Sequence, residues 1–269
     1  MTQIKNIGQF CPTDNRGYII NDTSLKNIQP GFHKVIEEVV NAYDFHLKDQ
    51  LHSIYIRGSV PRGFGIEQVS DLDTIAVTTK DITDVDLAWV DQVQNHLEND
   101  FDIVSGVEFA VFSIDEILSA DNTSIISFII KTHSICVYGK DLIPSIPDYK
   151  ADNLLAGFHL NPLENQIQTA KYDLKDNDDI EDILDCCVWI MKIIVRAGLA
   201  LVIEREHKYT RDLYPAYQLF SRHYPEKEND MRQAVQYAVN PVEEPDRIIS
   251  FLNTFGNWMI HESKGQMRT

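Results

Sequence analysis

The sequence has few basic residues for its length. Its 269 residues include 24 Lys and Arg against 41 Asp and Glu, which gives a formal net charge of −17. Binding to a polyphosphate backbone depends on Lys and Arg side chains that neutralise phosphates, and no basic cluster stands out in the sequence. The charge therefore argues against nucleic acid as a partner, and it favours a cationic small molecule or a protein.

Cysteines and long apolar runs are also scarce. Four Cys residues, of which Cys186 and Cys187 are adjacent, match neither a disulfide framework nor a zinc-binding spacing. No stretch approaches the ~20 apolar residues that a membrane-spanning helix needs, and the N-terminus lacks the basic-then-apolar pattern of a secretory signal. We therefore expect a cytoplasmic protein with reduced cysteines and no membrane partner.

What is present indicates a globular protein of two parts, with 43% apolar and 24% charged residues. Short β-branched runs predict strands at residues 52–57, 72–78, 106–112 and 134–139. Amphipathic segments predict helices at residues 32–46, 84–99 and 122–132, and then at 152–175, 180–206, 212–223, 227–239 and 244–262. The predicted fold class is α+β: a small mixed β-sheet domain with an N-terminal arm and helix at residues 1–145, followed by an all-helical bundle domain at residues 150–269.

The most informative stretch is YIRGSVPRGFGIEQVSDLDTIAV, at residues 55–77. One predicted strand ends at Gly58 and Ser59, and the residues Ser70-Asp71-Leu72-Asp73 open the next strand. Side chains two residues apart on a strand share a face, so we expect Asp71 and Asp73 to project together. Neighbouring carboxylates repel each other unless a cation or a shared proton lies between them, and hard oxygen ligands suit Mg²⁺. The alternative is a solvated acidic pair at the start of a strand.

A third acid, Glu108, interrupts the apolar run GVEFAVF of the strand predicted at residues 106–112. A carboxylate among apolar neighbours is costly unless it faces a cleft or a metal ion. The alternative is an exposed Glu on a half-solvated strand. We predict that Glu108 joins Asp71 and Asp73 in one site.

A Gly-Ser turn after one strand, followed by Ser-Asp-x-Asp on the next, resembles the nucleotidyltransferase superfamily typified by DNA polymerase β. The resemblance rests on Gly58, Ser59, Asp71 and Asp73. It implies that the turn holds a triphosphate, that the two acids bind metal ions, and that a third carboxylate lies on a later strand, where Glu108 is found. The plan of the whole chain, a nucleotidyltransferase domain before a helical bundle, is similar to that of aminoglycoside adenylyltransferases of the streptomycin/spectinomycin type.

The resemblance also implies ATP as co-substrate and Mg²⁺ as cofactor, with two ions expected and Mn²⁺ as a substitute. The predicted catalytic residues and metal ligands are Asp71, Asp73 and Glu108, with Glu108 acting as proton acceptor, metal ligand or both. The predicted nucleotide-binding residues are Gly58, Ser59, Arg62, Ser70, Lys192 and Arg211. For the last two, the alternative is a solvated basic residue in the helical domain.

These features predict a metal-dependent enzyme that transfers a nucleoside monophosphate, AMP from ATP, to a hydroxyl of a small acceptor. Two alternatives remain open at this point. One is a protein adenylyltransferase of the antitoxin type, although such proteins are usually minimal single domains. The other is a nucleotide-binding regulator without catalysis, which would have no need of Glu108.

Overall fold

The chain folds into two compact units in a computed structural model that describes residues 5–119 and 124–266. One unit spans Ile20–Tyr149, and the other combines the described residues of the ranges 1–19 and 150–269. The first unit contains the β-sheet and the second is helical. This arrangement confirms the predicted α+β fold class.

The sheet of the first unit has four strands: β1 (Leu51–Arg57), β2 (Leu72–Thr78), β3 (Val107–Ser113) and β4 (Ser134–Gly139). Their order across the sheet is β3-β2-β1-β4. Strand β1 runs antiparallel to β2 and to β4, whereas β2 and β3 are parallel. A parallel pair needs a crossover connection, and helix α2 (Val90–Asp100) lies in that connection. The sheet is therefore mixed, as predicted.

One helix of this unit begins later than the sequence pattern predicts, and the predicted start of another lies outside the described residues. Helix α2 begins at Val90 rather than near Asp84, because residues Ile82–Asp84 form a separate 3-10 turn that the side chain of Asp81 caps. The predicted helix at 122–132 begins in a segment outside the described residues. Its described part is α4 (Ile125–His133), which Ser124 caps by accepting a hydrogen bond from the N–H of Ile126. The other helices here are α1 (His33–Leu47) and α3 (Ile114–Ile117).

One face of the sheet packs against α1 to form the core of this unit. The buried apolar side chains that contribute to this core come from both the strands and the helix, and they include Ile54, Ile56, Leu72, Ala76, Val107, Val35, Val39 and Tyr43. Because successive strand residues point to opposite faces, residues that alternate with these, such as Arg57 and Asp73, point to the other face. Tyr55, Ile75 and Val77 on that face are buried as well, so Arg57 and Asp73 lie at one end of an otherwise apolar face.

The helical unit is built around a long central helix, α7 (Ile180–Ala200), which packs against at least six other described helices of the unit. The remaining helices are α5 (Asn153–Leu160), α6 (Leu163–Leu174), α8 (Ile203–Glu206), α9 (Leu213–His223), α10 (Glu228–Val239), α11 (Pro245–Phe251) and α12 (Asn257–Gln266). No described helix is both long and apolar enough to span a bilayer.

Three of the long helices predicted in this unit are interrupted. The segment predicted at 152–175 breaks before Pro162, since proline has no N–H to continue the hydrogen-bond ladder. The segment predicted at 180–206 ends at Ala200 before the short α8. The segment predicted at 244–262 contains a π-helical turn, Leu252–Gly256, between α11 and α12. Hydrophobic periodicity alone does not detect such breaks.

The N-terminal arm belongs to the helical unit, whereas the sequence analysis assigned it to the sheet domain. The main-chain N–H of Gln9 donates to Asp212 at 2.8 Å, and the Thr210 hydroxyl donates to the carbonyl of Gln9 at 2.7 Å. The N–H of Cys11 donates to the carbonyl of Tyr209 at 2.8 Å. These contacts join residues about two hundred positions apart along the chain, so no local pattern indicated them.

Candidate active site

Three charged residues lie side by side at one end of the sheet, on the face opposite α1. Arg57 on β1 is the register partner of Asp73 on β2, and Asp73 is the register partner of Glu108 on β3. Register partners in neighbouring strands point to the same face. The strand pairing therefore brings the predicted pair Asp73 and Glu108 together, and it adds an arginine beside them.

Arg57 holds both carboxylates through one nitrogen atom. Its Nη2 lies 2.9 Å from Oδ1 of Asp73 and 2.7 Å from Oε2 of Glu108. The side chains of Arg57 and Asp73 are mostly buried, at 15% and 13% exposure, whereas that of Glu108 is 54% exposed. The ion pair between Arg57 and Asp73 is thus sheltered from solvent, and Glu108 faces water and remains accessible to a ligand.

Gly58 follows directly and adopts a conformation that few other residues tolerate. Its φ angle is +89°, and a Cβ atom at this position would lie 2.5 Å from Oδ2 of Asp73. The absence of a side chain therefore allows the main chain to pass against the Asp73 carboxylate. The Gly-Ser turn therefore lies directly against Asp73.

Ser59 begins a tight turn rather than a long helix. A 3-10 turn, Val60–Arg62, follows it and ends at Gly63, whose φ angle is +82°. The Ser59 hydroxyl does not cap this turn, while its carbonyl accepts a hydrogen bond from the N–H of Phe64 at 3.0 Å. The hydroxyl is therefore not required to hold the turn together.

Arg62 and Ser70, which were both predicted to bind nucleotide, have local structural partners. The Nε of Arg62 donates to both carboxylate oxygens of Asp22, at 3.1 and 2.9 Å, and the guanidinium lies 5.2 Å from the centre of the Phe64 ring. The Ser70 hydroxyl accepts the N–H of Ile66 at 2.9 Å. These bonds shape the loop between the Gly-Ser turn and β2. Nucleotide contacts by Arg62 and Ser70 remain predictions.

Asp71, the remaining predicted acid, lies one residue before β2 and is exposed. Strand alternation predicts that its side chain shares a side with Asp73. Within residues 5–119 and 124–266, no three His, Cys, Asp or Glu side chains are arranged so that they could hold a metal ion together. Asp73 and Glu108 do converge on a single cationic atom, and their oxygen atoms are the hard donors that Mg²⁺ prefers. The donor chemistry of this pair fits a divalent cation, with Asp71 as the predicted third ligand.

A buried chain of hydroxyl groups holds β3 in place beneath the site. The Thr74 hydroxyl donates to the main-chain carbonyl of Glu108 at 2.6 Å. Because this bond uses the only hydroxyl proton of Thr74, the hydroxyl of Tyr43, 2.9 Å away, donates to Thr74 in turn. Burial raises the pKa of the Tyr43 hydroxyl, which keeps it protonated as a donor. This chain ties helix α1 to the backbone that carries Glu108.

The predicted cations Lys192 and Arg211 belong to the helical unit. Lys192 and Arg196 are one helical turn apart on α7, and Arg211 precedes α9. Desolvation, together with the nearby charges of Arg196 and Arg211, lowers the pKa of His159 to about 3. The ring of His159 stacks on that of Tyr209, with a centroid separation of 5.9 Å. Two guanidinium groups thus lie near a neutral imidazole, and the phosphate-binding roles of Lys192 and Arg211 remain predictions.

Arg57 is the site residue that the sequence analysis missed. The sequence did contain a signal for Arg57. It is a charged residue at the end of a largely apolar strand, directly before Gly58. Its two partners, however, depend on the register of three strands that are far apart in sequence. The motif alone therefore did not predict that Arg57 pairs with both Asp73 and Glu108.

Comparisons with known proteins find similarity among solved structures. No family model and no curated protein matches the sequence. Among solved structures, the chain is similar to the spectinomycin adenyltransferase AAD(9) from Enterococcus faecialis, solved with ATP and spectinomycin. The identity is 14% and the TM-score is 0.47, and the match covers 86% of this chain and 99% of that chain.

Proposed function

We propose that this chain is a nucleotidyltransferase that moves AMP from ATP to a hydroxyl group of a small acceptor and releases pyrophosphate. The observation that carries the proposal is the convergence of Asp73 and Glu108 on one point, directly beside the Gly58 turn. A transferase of this kind needs a charge-compensated acidic centre next to a backbone turn that accepts phosphates. The resemblance of the Gly-Ser and Ser-Asp-x-Asp motifs to nucleotidyltransferases supports the same reaction.

Each residue has a role that its surroundings support. The exposed main chain at Gly58 and the hydroxyl of Ser59 bind the triphosphate, since the hydroxyl is not used to cap the following turn. Glu108, whose side chain is 54% exposed, accepts the proton of the acceptor hydroxyl. Asp73 is held in a fixed orientation by Arg57 on one side and by the close approach of Gly58 on the other.

Asp73, Glu108 and the predicted third ligand Asp71 would hold Mg²⁺. A divalent cation bound there polarises the transferred phosphoryl group and stabilises negative charge on the attacking and leaving oxygens. The net charge of −17 favours an acceptor that carries positive charge, because such a molecule is attracted to the protein as a whole.

The reaction class is tested by measuring pyrophosphate release with Mg²⁺ and each of the four ribonucleoside triphosphates over a panel of hydroxylated amines that includes spectinomycin. The variants are Asp73→Asn and Glu108→Gln, which keep the side-chain shape and remove the charge. The matched control is Asp102→Asn, a change of an exposed acid in the turn after α2. We expect wild type and the control to release pyrophosphate at the same rate, and both site variants to lose at least about a hundredfold, in the range of acid–base catalysis.

Equal rates in wild type and Asp73→Asn across the whole panel would contradict the proposal. A second measurement identifies the acceptor, using ATP labelled on the α-phosphate together with the panel or with cell lysate. Label on a small molecule supports the proposed acceptor class. Label on protein, with Asp73 required, would replace it with a protein adenylyltransferase.

A further inference from the structure

A single guanidinium lies between two carboxylates at this end of the sheet. Two carboxylates, Asp73 and Glu108, share the single Nη2 atom of Arg57 at 2.9 and 2.7 Å. A guanidinium in this position removes the repulsion that two neighbouring carboxylates otherwise exert on each other. Arg57 therefore occupies the point at which the two acids could jointly bind a cation.

The position of Arg57 is fixed by the backbone and not only by its flexible side chain. Arg57 ends β1 and is the register partner of Asp73 on one side and of Ser134 on the other. The next residue, Gly58, passes against the Asp73 carboxylate. With 15% of its side chain exposed, Arg57 is more sheltered than a surface ion pair, whose long side chains move freely in water.

We propose that Arg57 is a built-in counter-cation that competes with divalent ions for Asp73 and Glu108, so that a metal ion enters this pair only when the guanidinium moves away. The inference rests on the divalent cation of the proposed function. It assigns Arg57 a positioning role: the residue holds the two acids in place before the cation arrives and sets how strongly they attract it.

If Arg57 competes with the cation, its loss changes cation affinity in the opposite direction from the loss of a purely structural arginine. Loss of a structural arginine disorders the two acids and weakens cation binding. Loss of a competing arginine strengthens cation binding, because the acids keep their charge and lose their intramolecular partner. Divalent-ion affinity in the absence of nucleotide therefore separates the two roles.

The experiment is a Mn²⁺ titration of the nucleotide-free protein, with free Mn²⁺ measured by electron paramagnetic resonance. The variants are Arg57→Met and Arg57→Gln, of which the second retains hydrogen-bonding groups without the charge. The control is Lys131→Met. Lys131 pairs with Asp148 in the same unit, and their side-chain exposures of 17% and 54% resemble those of Arg57 and Glu108.

We expect both Arg57 variants to bind Mn²⁺ at least about tenfold more tightly than wild type. Repulsion between a unit charge and a divalent ion about 4 Å apart is that large even in bulk water. Lys131→Met is expected to bind as wild type does. Wild-type or weaker affinity in folded Arg57 variants would overturn the proposal.

A measurement on the wild-type protein covers the case in which the variants do not fold. In protein labelled with ¹⁵N at arginine, the Nε–H signal of Arg57 should shift as Mg²⁺ is added, and the signal of Arg62, which pairs with Asp22, should not. An Arg57 signal that stays in place at saturating Mg²⁺ would refute displacement.

Neither experiment uses nucleotide or acceptor. Failure of pyrophosphate release therefore refutes the proposed function alone, and unchanged metal affinity refutes the role of Arg57 alone.

Discussion

Replacing Gly58 with alanine tests whether the Gly-Ser turn and the acidic pair act as one unit. The added Cβ would lie 2.5 Å from Oδ2 of Asp73, and real Cβ atoms are essentially never found closer than 3.0 Å to another heavy atom. Either the Asp73 carboxylate or the turn must therefore move by at least about half an ångström. Because Asp73 is also held by Arg57, this movement disturbs the ion pair that organises the site.

Gly58→Ala lowers the free energy of unfolding through two separate effects. An alanine at a φ angle of +89° loses about 1–2 kcal/mol from backbone strain. The collision with Asp73 adds about 1–3 kcal/mol, in the range found for overpacked positions. A displacement of this size also costs up to about a hundredfold in rate, so we expect a fall in kcat that is larger than the change in stability alone would cause.

The control for backbone strain is Gly17→Ala. Gly17 has a nearly equal φ angle of +83°, and no heavy atom lies within 4 Å of the position of its Cβ. This variant should show the strain without the collision. The assays are urea-induced unfolding, followed by circular dichroism, and pyrophosphate release at saturating ATP. If Gly58→Ala matches Gly17→Ala in both stability and turnover, the close approach of the turn to Asp73 has no functional role.

Three further changes test the packing and the titration of the fold. Tyr43→Phe removes the hydrogen bond between the Tyr43 and Thr74 hydroxyls, while Thr74 keeps its bond to the Glu108 carbonyl. Urea unfolding should show a loss of about 0.5–1.5 kcal/mol; an unchanged midpoint would refute the buried chain of hydroxyl groups. Gly198→Ala places a Cβ atom 2.2 Å from Cε of Met231 in the helical unit, and a loss of about 1–3 kcal/mol is expected from overpacking, whereas a gain would show that Met231 moves aside freely. His159 has a pKa of about 3 in the folded protein and about 6.5 when unfolded. Between these two pH values, the unfolded state binds a proton that the folded state does not. The free energy of unfolding therefore falls as the pH drops through that window, by at most about 1.4 kcal/mol per pH unit. His159→Asn should flatten this dependence in urea unfolding between pH 6.5 and 4, and identical slopes would contradict the shifted pKa.

The main elements of the sheet domain were predictable because their signals are local. All four strands were predicted to within a residue or two, since each is a short apolar run ended by Gly, Asp or a polar turn. The breaks within the predicted helices were missed. The 3-10 turn at Ile82–Asp84 and the π-helical turn at Leu252–Gly256 keep an apolar periodicity close to that of an α-helix, so hydrophobic spacing does not distinguish them.

The residues of the candidate site also fall into two groups: those indicated by local sequence, and those whose partners depend on the fold. Asp73 was predictable from alternation along one strand, and Glu108 was predictable as a single acid in an apolar run. Arg62 and Ser70 lie in the expected loop, but their nearest partners are Asp22 and the N–H of Ile66. A side chain on a loop chooses among partners that the fold brings near it, and the motif does not specify them.

The sequence by itself determined which residues form strands, because side-chain alternation and turn chemistry act over a few residues. It also determined the strongly acidic charge, which depends on composition alone. Only the tertiary structure decided that Arg57 lies between Asp73 and Glu108 and that the N-terminal arm packs on the helical unit. Both depend on pairing between segments far apart in the chain, and such pairing is set by the register and packing of the whole fold.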